Sequence, residues 1–189
     1  MHAVQTDWVD MAAVAAGHAR ARPGPSQQRQ LRNALGCFPT GVTVVTTCDE
    51  QGRLYGVTAN SFSSVSLDPP IVLWSQKIAA PSHPVFKRAA YFAINVLESG
   101  QERLSAQFSR PASDKFDGVD YDLTEEGIPL LKGAAAQFVC RNDSQCHGGD
   151  HIVFFGNVIR FGYSPTACPL IYARGGCLPR LDREALASK

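Results

Sequence analysis

No run of apolar residues in this 189-residue chain approaches the roughly 20 that a bilayer-crossing helix requires, so no helical membrane span is expected. Charge of one sign is also lacking. Eighteen Lys and Arg against 17 Asp and Glu leave a net charge of +1, which gives no field to draw in nucleic acid or an anionic membrane surface. Cysteine is sparse for a disulfide scaffold. Six residues (Cys37, Cys48, Cys140, Cys146, Cys168, Cys177) spread over this length read as reduced thiols in a cytoplasmic protein. The glycine fingerprints of a Rossmann dinucleotide site and of a P-loop are missing, and so is the G-x-S-x-G elbow of a serine hydrolase. What is present, 44% hydrophobic and 19% charged residues, suits one ordinary globular domain with a sizeable core.

Along the chain, Met1–Gly24 carries Asp7 and Asp10 ahead of its short Ala12–Ala16 stretch, which is poor signal-peptide chemistry. Residues 1–25 read as a flexible extension, with Arg20–Pro25 as a linker into a domain over 26–189. Ser26 is expected to cap a short helix bearing Leu31, Ala34 and Leu35, ended by Gly36. Strands are then expected over Val42–Cys48 and Arg53–Ala59, joined by the turn Asp49–Gly52, and over Ile71–Ser75 and Phe92–Leu97. Gly133–Cys140, His151–Phe161 and Pro169–Tyr172 complete the series. Two helices interrupt it, one opening at Ser82-His83-Pro84 and one at Ser99-x-x-Glu102, a capping-box spacing with Leu104 and Phe108 behind it. Polar Pro111–Pro129 reads as a long surface loop. Six or seven short strands with isolated helices predict a closed or partly closed antiparallel barrel rather than a doubly wound α/β sheet.

Three stretches could carry chemistry. Gly56–Pro70 sets Thr58, Asn60, Ser61, Ser63, Ser64 and Ser66 beside a strand. Short hydroxyl and amide groups of this kind can cradle a phosphate or bond a planar heterocycle, or can simply satisfy local backbone. Gly148-Gly149-Asp150-His151 opens an apolar strand, where the histidine could meet a cofactor or merely follow a turn. Cys140, Cys146, His147 and His151 suggest zinc, yet C-x5-C-H-x3-H lacks the spacing of structural zinc sites, and no metal is expected.

In this order and spacing, the pieces resemble the short-chain flavin reductase family from about Leu31 to Leu181. They are Leu35–Thr47, Thr58–Pro70, Phe92–Leu97, Leu104–Phe108, Asp114–Phe116, Gly149–His151 and Pro169–Tyr172. The resemblance implies a mainly β fold with a few helices, an FMN-binding split β-barrel (a Greek-key antiparallel barrel) that pairs as a homodimer. It implies hydride transfer from NADH or NADPH to FMN or FAD, with reduced flavin supplied to a flavin-dependent monooxygenase.

Residue by residue, it implies that Thr58, Ala59, Asn60 and Ser61 line the flavin ring and ribityl chain, with Ser64 near the phosphate. Thr40 would approach the pyrimidine edge, and Lys77 and Ser82 would meet the phosphate or dinucleotide tail. Phe108 and Lys115 would border the pocket, Tyr172 would close it, and His151 would be the catalytic residue near the nicotinamide. Three features depart from the family pattern: Pro39 where alanine is frequent, Cys177 where an aromatic residue often stands, and the extension over residues 1–25. The alternative on the same barrel is a flavin-binding electron carrier or sensor without catalysis. A zinc-binding module on the cysteine–histidine group and a serine hydrolase are more distant alternatives.

Overall fold

The computed structural model describes Thr6, Trp8 and residues 24–178. Almost all of the expected N-terminal extension and residues 179–189 lie outside the described residues. The chain divides into two units, Met1–Pro39 with Ala173–Gly176, and Thr40–Tyr172 with Cys177–Lys189.

The first unit holds α1 (Pro25–Leu35). Its cap is Gly24 rather than the expected Ser26. Pro25 takes the first helical position, where a missing N–H costs nothing, and this sets the start two residues earlier. The Gly24 N–H donates to Gln27 Oε1 at 3.0 Å. Gly36 caps the other end, as its sequence position predicts, and its carbonyl accepts from Arg174 N at 2.8 Å. No α1 residue is buried, and Leu35 is 65% exposed.

The second unit is mainly β. Its strands are β1 (Thr40–Gly41), β2 (Thr43–Cys48), β3 (Leu54–Ala59), β4 (Ser63–Leu67), β5 (Pro70–Lys77) and β6 (Tyr91–Val96). Then come β7 (Tyr121–Leu123), β8 (Pro129–Leu131), β9 (Ala136–Gly148), β10 (His151–Tyr163), β11 (Ile171–Ala173) and β12 (Gly176–Leu178), with Ala173 of β11 and Gly176 of β12 counted in the first unit. Helices α2 (His83–Arg88) and α3 (Glu102–Ser109) interrupt them. Seven strands form one antiparallel sheet in the order β3-β2-β6-β9-β10-β5-β4. No ladder joins its two ends, β3 and β4, among the described residues. Instead Ser61, between those two strands, ties to β5: its Oγ accepts from Ser75 N at 2.9 Å and donates to Ser75 O at 3.2 Å.

Strand β2 explains the two cores. Its β-branched residues Thr43 to Thr47 are all buried, because β3 and β6 flank it and both faces are covered. Side chains alternate along a strand, so Val45 feeds one cluster and Val44 the other. The first cluster centres on Trp74, whose ring stacks on Phe154 at 4.8 Å and meets Phe86 and Phe92 edge-on at 5.0 and 6.0 Å. The second gathers Val44, Leu97, Phe108, Phe116, Leu131 and Leu170. Asn95, fully buried on β6, is satisfied at every polar site. It donates to Val44 O and Thr46 Oγ1, and accepts from Leu131 N and Gln137 Nε2 at 2.9 to 3.0 Å.

Several expectations are corrected. The capping box at Ser99 is not formed: Ser99 Oγ donates to Glu98 Oε1 at 2.7 Å, and Gln101 precedes the first helical residue, Glu102. Pro111–Pro129 is not a featureless loop. It carries β7, leads into its partner β8, and buries Phe116, Val119 and Ile128. A ladder of edge-on rings, Phe108–Phe116 at 5.0 Å and Phe116–Tyr121 at 5.5 Å, holds this acidic segment to the core. Strand β4 lies within the hydroxyl-rich stretch, and nearly all of it is exposed, which removes the apolar alternation that marks a strand. Strand β9 extends eight residues past the expected end at Cys140.

Candidate functional site

The site residues expected from sequence fall into three groups, all in the second unit. One forms where α3 meets the end strand β3. Gly56 is the reason the two can approach: a Cβ there would collide with the Phe108 ring. Phe108 is fully buried and backs this wall from within. Above it, Lys115 Nζ donates to Phe108 O at 2.8 Å and Gly56 O at 3.2 Å, and burial holds its pKa below the usual lysine value. Thr58, two residues along β3, donates its hydroxyl to Ser105 O of α3 at 2.7 Å. Ala59 packs on the Trp74 cluster, and its carbonyl accepts from Thr43 Oγ1 at 2.7 Å. Asn60 is exposed where β3 ends.

A second group forms at the end of the β5–β10 ladder. Lys77 and His151 are direct partners across it, and His151 also pairs with Gly148 across a two-residue turn. Gly149 opens that turn with φ +69°, a conformation that favours glycine. Asp150 Oδ1 lies 2.7 Å from His151 Nδ1, and this bond holds the Asp150 carboxyl below its usual range. A carboxylate only accepts, so Nδ1 donates in this contact, and Nε2 has no hydrogen-bond partner among the described residues. Two residues before Lys77, Ser75 binds Ser61. One residue before Lys77, Gln76 Nε2 donates to Ser82 Oγ at 3.0 Å, and its Oε1 faces His83 Nδ1 at 3.3 Å. Ser82 thus precedes α2 without using its hydroxyl as a helix cap. Ser64 pairs with Val72 further along β5 and is exposed.

The third group is Thr40 opposite Tyr172, paired between β1 and β11. A triangle of backbone bonds among Val42, Leu97 and Leu170, 2.8 to 3.1 Å long, fixes this corner. Thr40 Oγ1 is buried and has no hydrogen-bond partner among the described residues. Tyr172 is half-buried and packs on the Phe108 cluster.

Residues Ser82 and Lys115 line one cleft of about 280 Å³ together with Gly56. A second cleft, about 400 Å³, lies by Cys48, Asp49, Arg88 and Glu126 and contains none of the site residues expected from the sequence. The cysteine–histidine group does not converge on a metal. Cys140 is fully buried in the Trp74 cluster with its pKa pushed up to about 12, whereas Cys146 is exposed. Sequence reasoning missed Gln76, which bonds the Ser82 hydroxyl, and Arg53, which lines the cleft.

The flavin reductase like domain family matches residues 35–178 of the chain. The chain is 44% identical over 162 residues to the FMN reductase (NADH) SmoA of Agrobacterium fabrum, covering 86% of this chain and 91% of that protein. It is 37% identical over 147 residues to the reductase subunit HsaB of a flavin-dependent monooxygenase of Rhodococcus jostii, covering 78% of this chain and 75% of the other. Its structure superposes with a TM-score of 0.80 on the NADH:FAD oxidoreductase SgcE6 of Streptomyces globisporus in complex with NAD and FAD fragments. Identity there is 40%, over 88% of this chain and 99% of the other. The sheet order, the hydroxyl-rich corner after β3 and the Asp150–His151 turn therefore belong to a member of the flavin reductase like family.

Proposed function

We propose that this chain is an NAD(P)H-dependent flavin reductase that passes a hydride from NADH or NADPH to FMN or FAD and supplies the reduced flavin to a partner monooxygenase. The observation that carries this reading is its likeness, along nearly the whole length of both chains, to an NADH-dependent FMN reductase.

The residues present fit a flavin. The buried, unpartnered Thr40 hydroxyl is a polar atom that needs a partner, and the polar edge of a flavin ring supplies one. Asn60 and Ser64 add exposed amide and hydroxyl groups, and Lys77 a cation for phosphate. Thr58 and Ser61 use their hydroxyls internally and fix the strand end along which the ring would lie, while Ala59 gives a side chain too small to block it. When bound, the flavin supplies the hydride acceptor, so the protein needs no acid–base pair of its own.

The protein's part is to orient and to exclude water. Asp150 holds the His151 ring through Nδ1, which leaves Nε2 to accept an N–H from a nicotinamide carboxamide. Tyr172 closes the corner at Thr40, and Lys115 and Phe108 keep α3 seated against β3. Replacing His151 by Ala is expected to raise the KM for NAD(P)H severalfold with a smaller fall in kcat. Unchanged steady-state constants would refute this role.

The barrel is of the split kind and assembles as a homodimer. Supporting this, Ile159, Phe161 and Tyr163 stand exposed at alternate positions of β10, and such an apolar row is buried by a second copy. The hydride donor is a cytoplasmic metabolite and all six cysteines are free, which supports a cytoplasmic location. A flavin carrier would hold its flavin through dialysis and oxidise NAD(P)H slowly. A reductase of this kind releases flavin and turns over only when flavin is added, and this pair of measurements tests the reading.

A further inference from the structure

Along β5 the buried positions alternate, and after the apolar Val72 and Trp74 the third is Gln76, 3% exposed. A buried amide loses water from both its oxygen and its nitrogen and needs a partner for each. Gln76 finds both at the start of α2. Its Nε2 donates to Ser82 Oγ at 3.0 Å, and its Oε1 faces His83 Nδ1 at 3.3 Å. An amide oxygen only accepts, so His83 donates here through Nδ1. His83 is itself buried, with its ring centre 6.2 Å from that of Phe154. Burial, aided by Lys87 and His147, holds its pKa below the usual histidine value. The ring is therefore neutral at neutral pH, with its one proton committed to Gln76. Ser82 is half-buried and lines the cleft of about 280 Å³. Its oxygen accepts from Gln76, and its own O–H proton has no acceptor among the described residues.

We propose that Gln76 is a positioning residue that, with His83 behind it, fixes Ser82 as a hydrogen-bond donor to a phosphate oxygen of a bound cofactor. The protons run one way, from His83 Nδ1 to Gln76 Oε1 and from Gln76 Nε2 to Ser82 Oγ, and this leaves the serine proton to be given outward. A reversed amide would take that proton and leave Ser82 only lone pairs to present. An ionised phosphate oxygen accepts and does not donate, so the direction of the relay decides whether Ser82 attracts or repels it. Lys115, on the same cleft, has the charge to meet the same group. The inference deepens the flavin reductase reading and rests on it for the identity of the ligand alone. Both the flavin and the nicotinamide cofactor carry phosphate.

Nitrogen–proton NMR spectra of the full chain with labelled histidine read the first half of the relay without any ligand, His83 being assigned by its loss in His83→Asn. A neutral His83 protonated at Nδ1 is expected, and protonation at Nε2 would overturn the proposal. FMN and riboflavin, which differ only in the phosphate, read the second half in fluorescence titrations. Gln76→Glu places an acceptor where Ser82 now meets a donor and should weaken FMN about fivefold, with riboflavin unchanged. Gln76→Leu, which keeps an apolar-sized side chain in the core, should give a smaller loss of the same kind, and thermal melting confirms that each variant is folded. In a Ser82→Ala background neither substitution should weaken FMN further. A raised KM for NAD(P)H with FMN binding unchanged, again absent in the Ser82→Ala background, assigns the phosphate to the nicotinamide cofactor instead. Unchanged FMN binding together with unchanged KM would overturn the proposal. So would equal losses for FMN and riboflavin, or a loss that persists without the Ser82 hydroxyl. Nδ1-protonated His83 in a protein that reduces no flavin with either nicotinamide would sink the reductase reading and leave the relay standing.

Discussion

The two hydrophobic clusters on either face of β2 are similar in size but differ in what they hold besides apolar atoms. Around Trp74 the packing is aromatic against aromatic, with β5, β6, β10 and α2 all contributing. Around Phe108 the apolar residues share their space with a half-buried lysine, and the neighbouring strand and helix are joined through the Thr58 hydroxyl. The first region holds the sheet together. The second holds the sheet and also shapes the place where chemistry is expected. Damage to the first should therefore lower stability alone, and damage to the second should lower stability and cofactor binding together.

The largest effect is expected at Phe92, 1% exposed and packed edge-on against Trp74. Phe92→Ala should cost about 4 kcal/mol by chemical denaturation, with the flavin affinity of the remaining folded protein unchanged. A paired test at two glycines is sharper. A Cβ at Gly156 would lie 2.5 Å from Phe92 Cζ and 2.8 Å from Cys140 Cβ, and one at Gly56 would strike the Phe108 ring. Each alanine variant should lose about 2 kcal/mol by overpacking, measured by denaturant midpoint. Only Gly56→Ala should also weaken flavin binding in a fluorescence titration, because it displaces α3 and with it Lys115. Equal flavin affinity in the two variants would break the distinction between the regions.

The smallest effect concerns Lys115. Burial lowers its pKa from 10.5 in the folded state, so the unfolded chain binds more protons between the lowered value and 10.5. Stability from this group is thus full above pH 10.5 and is lost as pH falls through the folded-state pKa. The wild type should gain on a Lys115→Met variant as pH rises through that window, followed by denaturation at several alkaline pH values. A constant difference would place the ammonium in a well-solvated position.

How much of this was legible in the residues differs between the same two regions. The β-branched run at β2 and the apolar runs at β5, β6 and β10 announced the Trp74 side, because burial on both faces leaves an uninterrupted apolar pattern. The Phe108 side was less readable. Phe116, Val119 and Tyr121 are scattered through an acidic segment, and only the ring contacts made in three dimensions turn it into β7 and its neighbours. Helix starts failed for local reasons: Pro25 displaced the cap at Ser26, and Glu98 captured the hydroxyl of Ser99. Of the site, Lys77 and His151 lie 74 residues apart in the chain and meet only through the β5–β10 register, which no short motif encodes. The hydroxyl-rich Thr58–Ser64 stretch was visible as composition. That Thr58 and Ser61 spend their hydroxyls on Ser105 and Ser75 was not, since both partners are backbone groups.

The central claim is that this fold moves hydride between two diffusible cofactors. Oxidation of NADH and of NADPH, followed by loss of nicotinamide absorbance with FMN and FAD added in turn, tests it most directly. Rapid turnover that depends on added flavin, with a preference for one nicotinamide, is the predicted result. Protein that binds no flavin and oxidises neither nicotinamide with either flavin would contradict it.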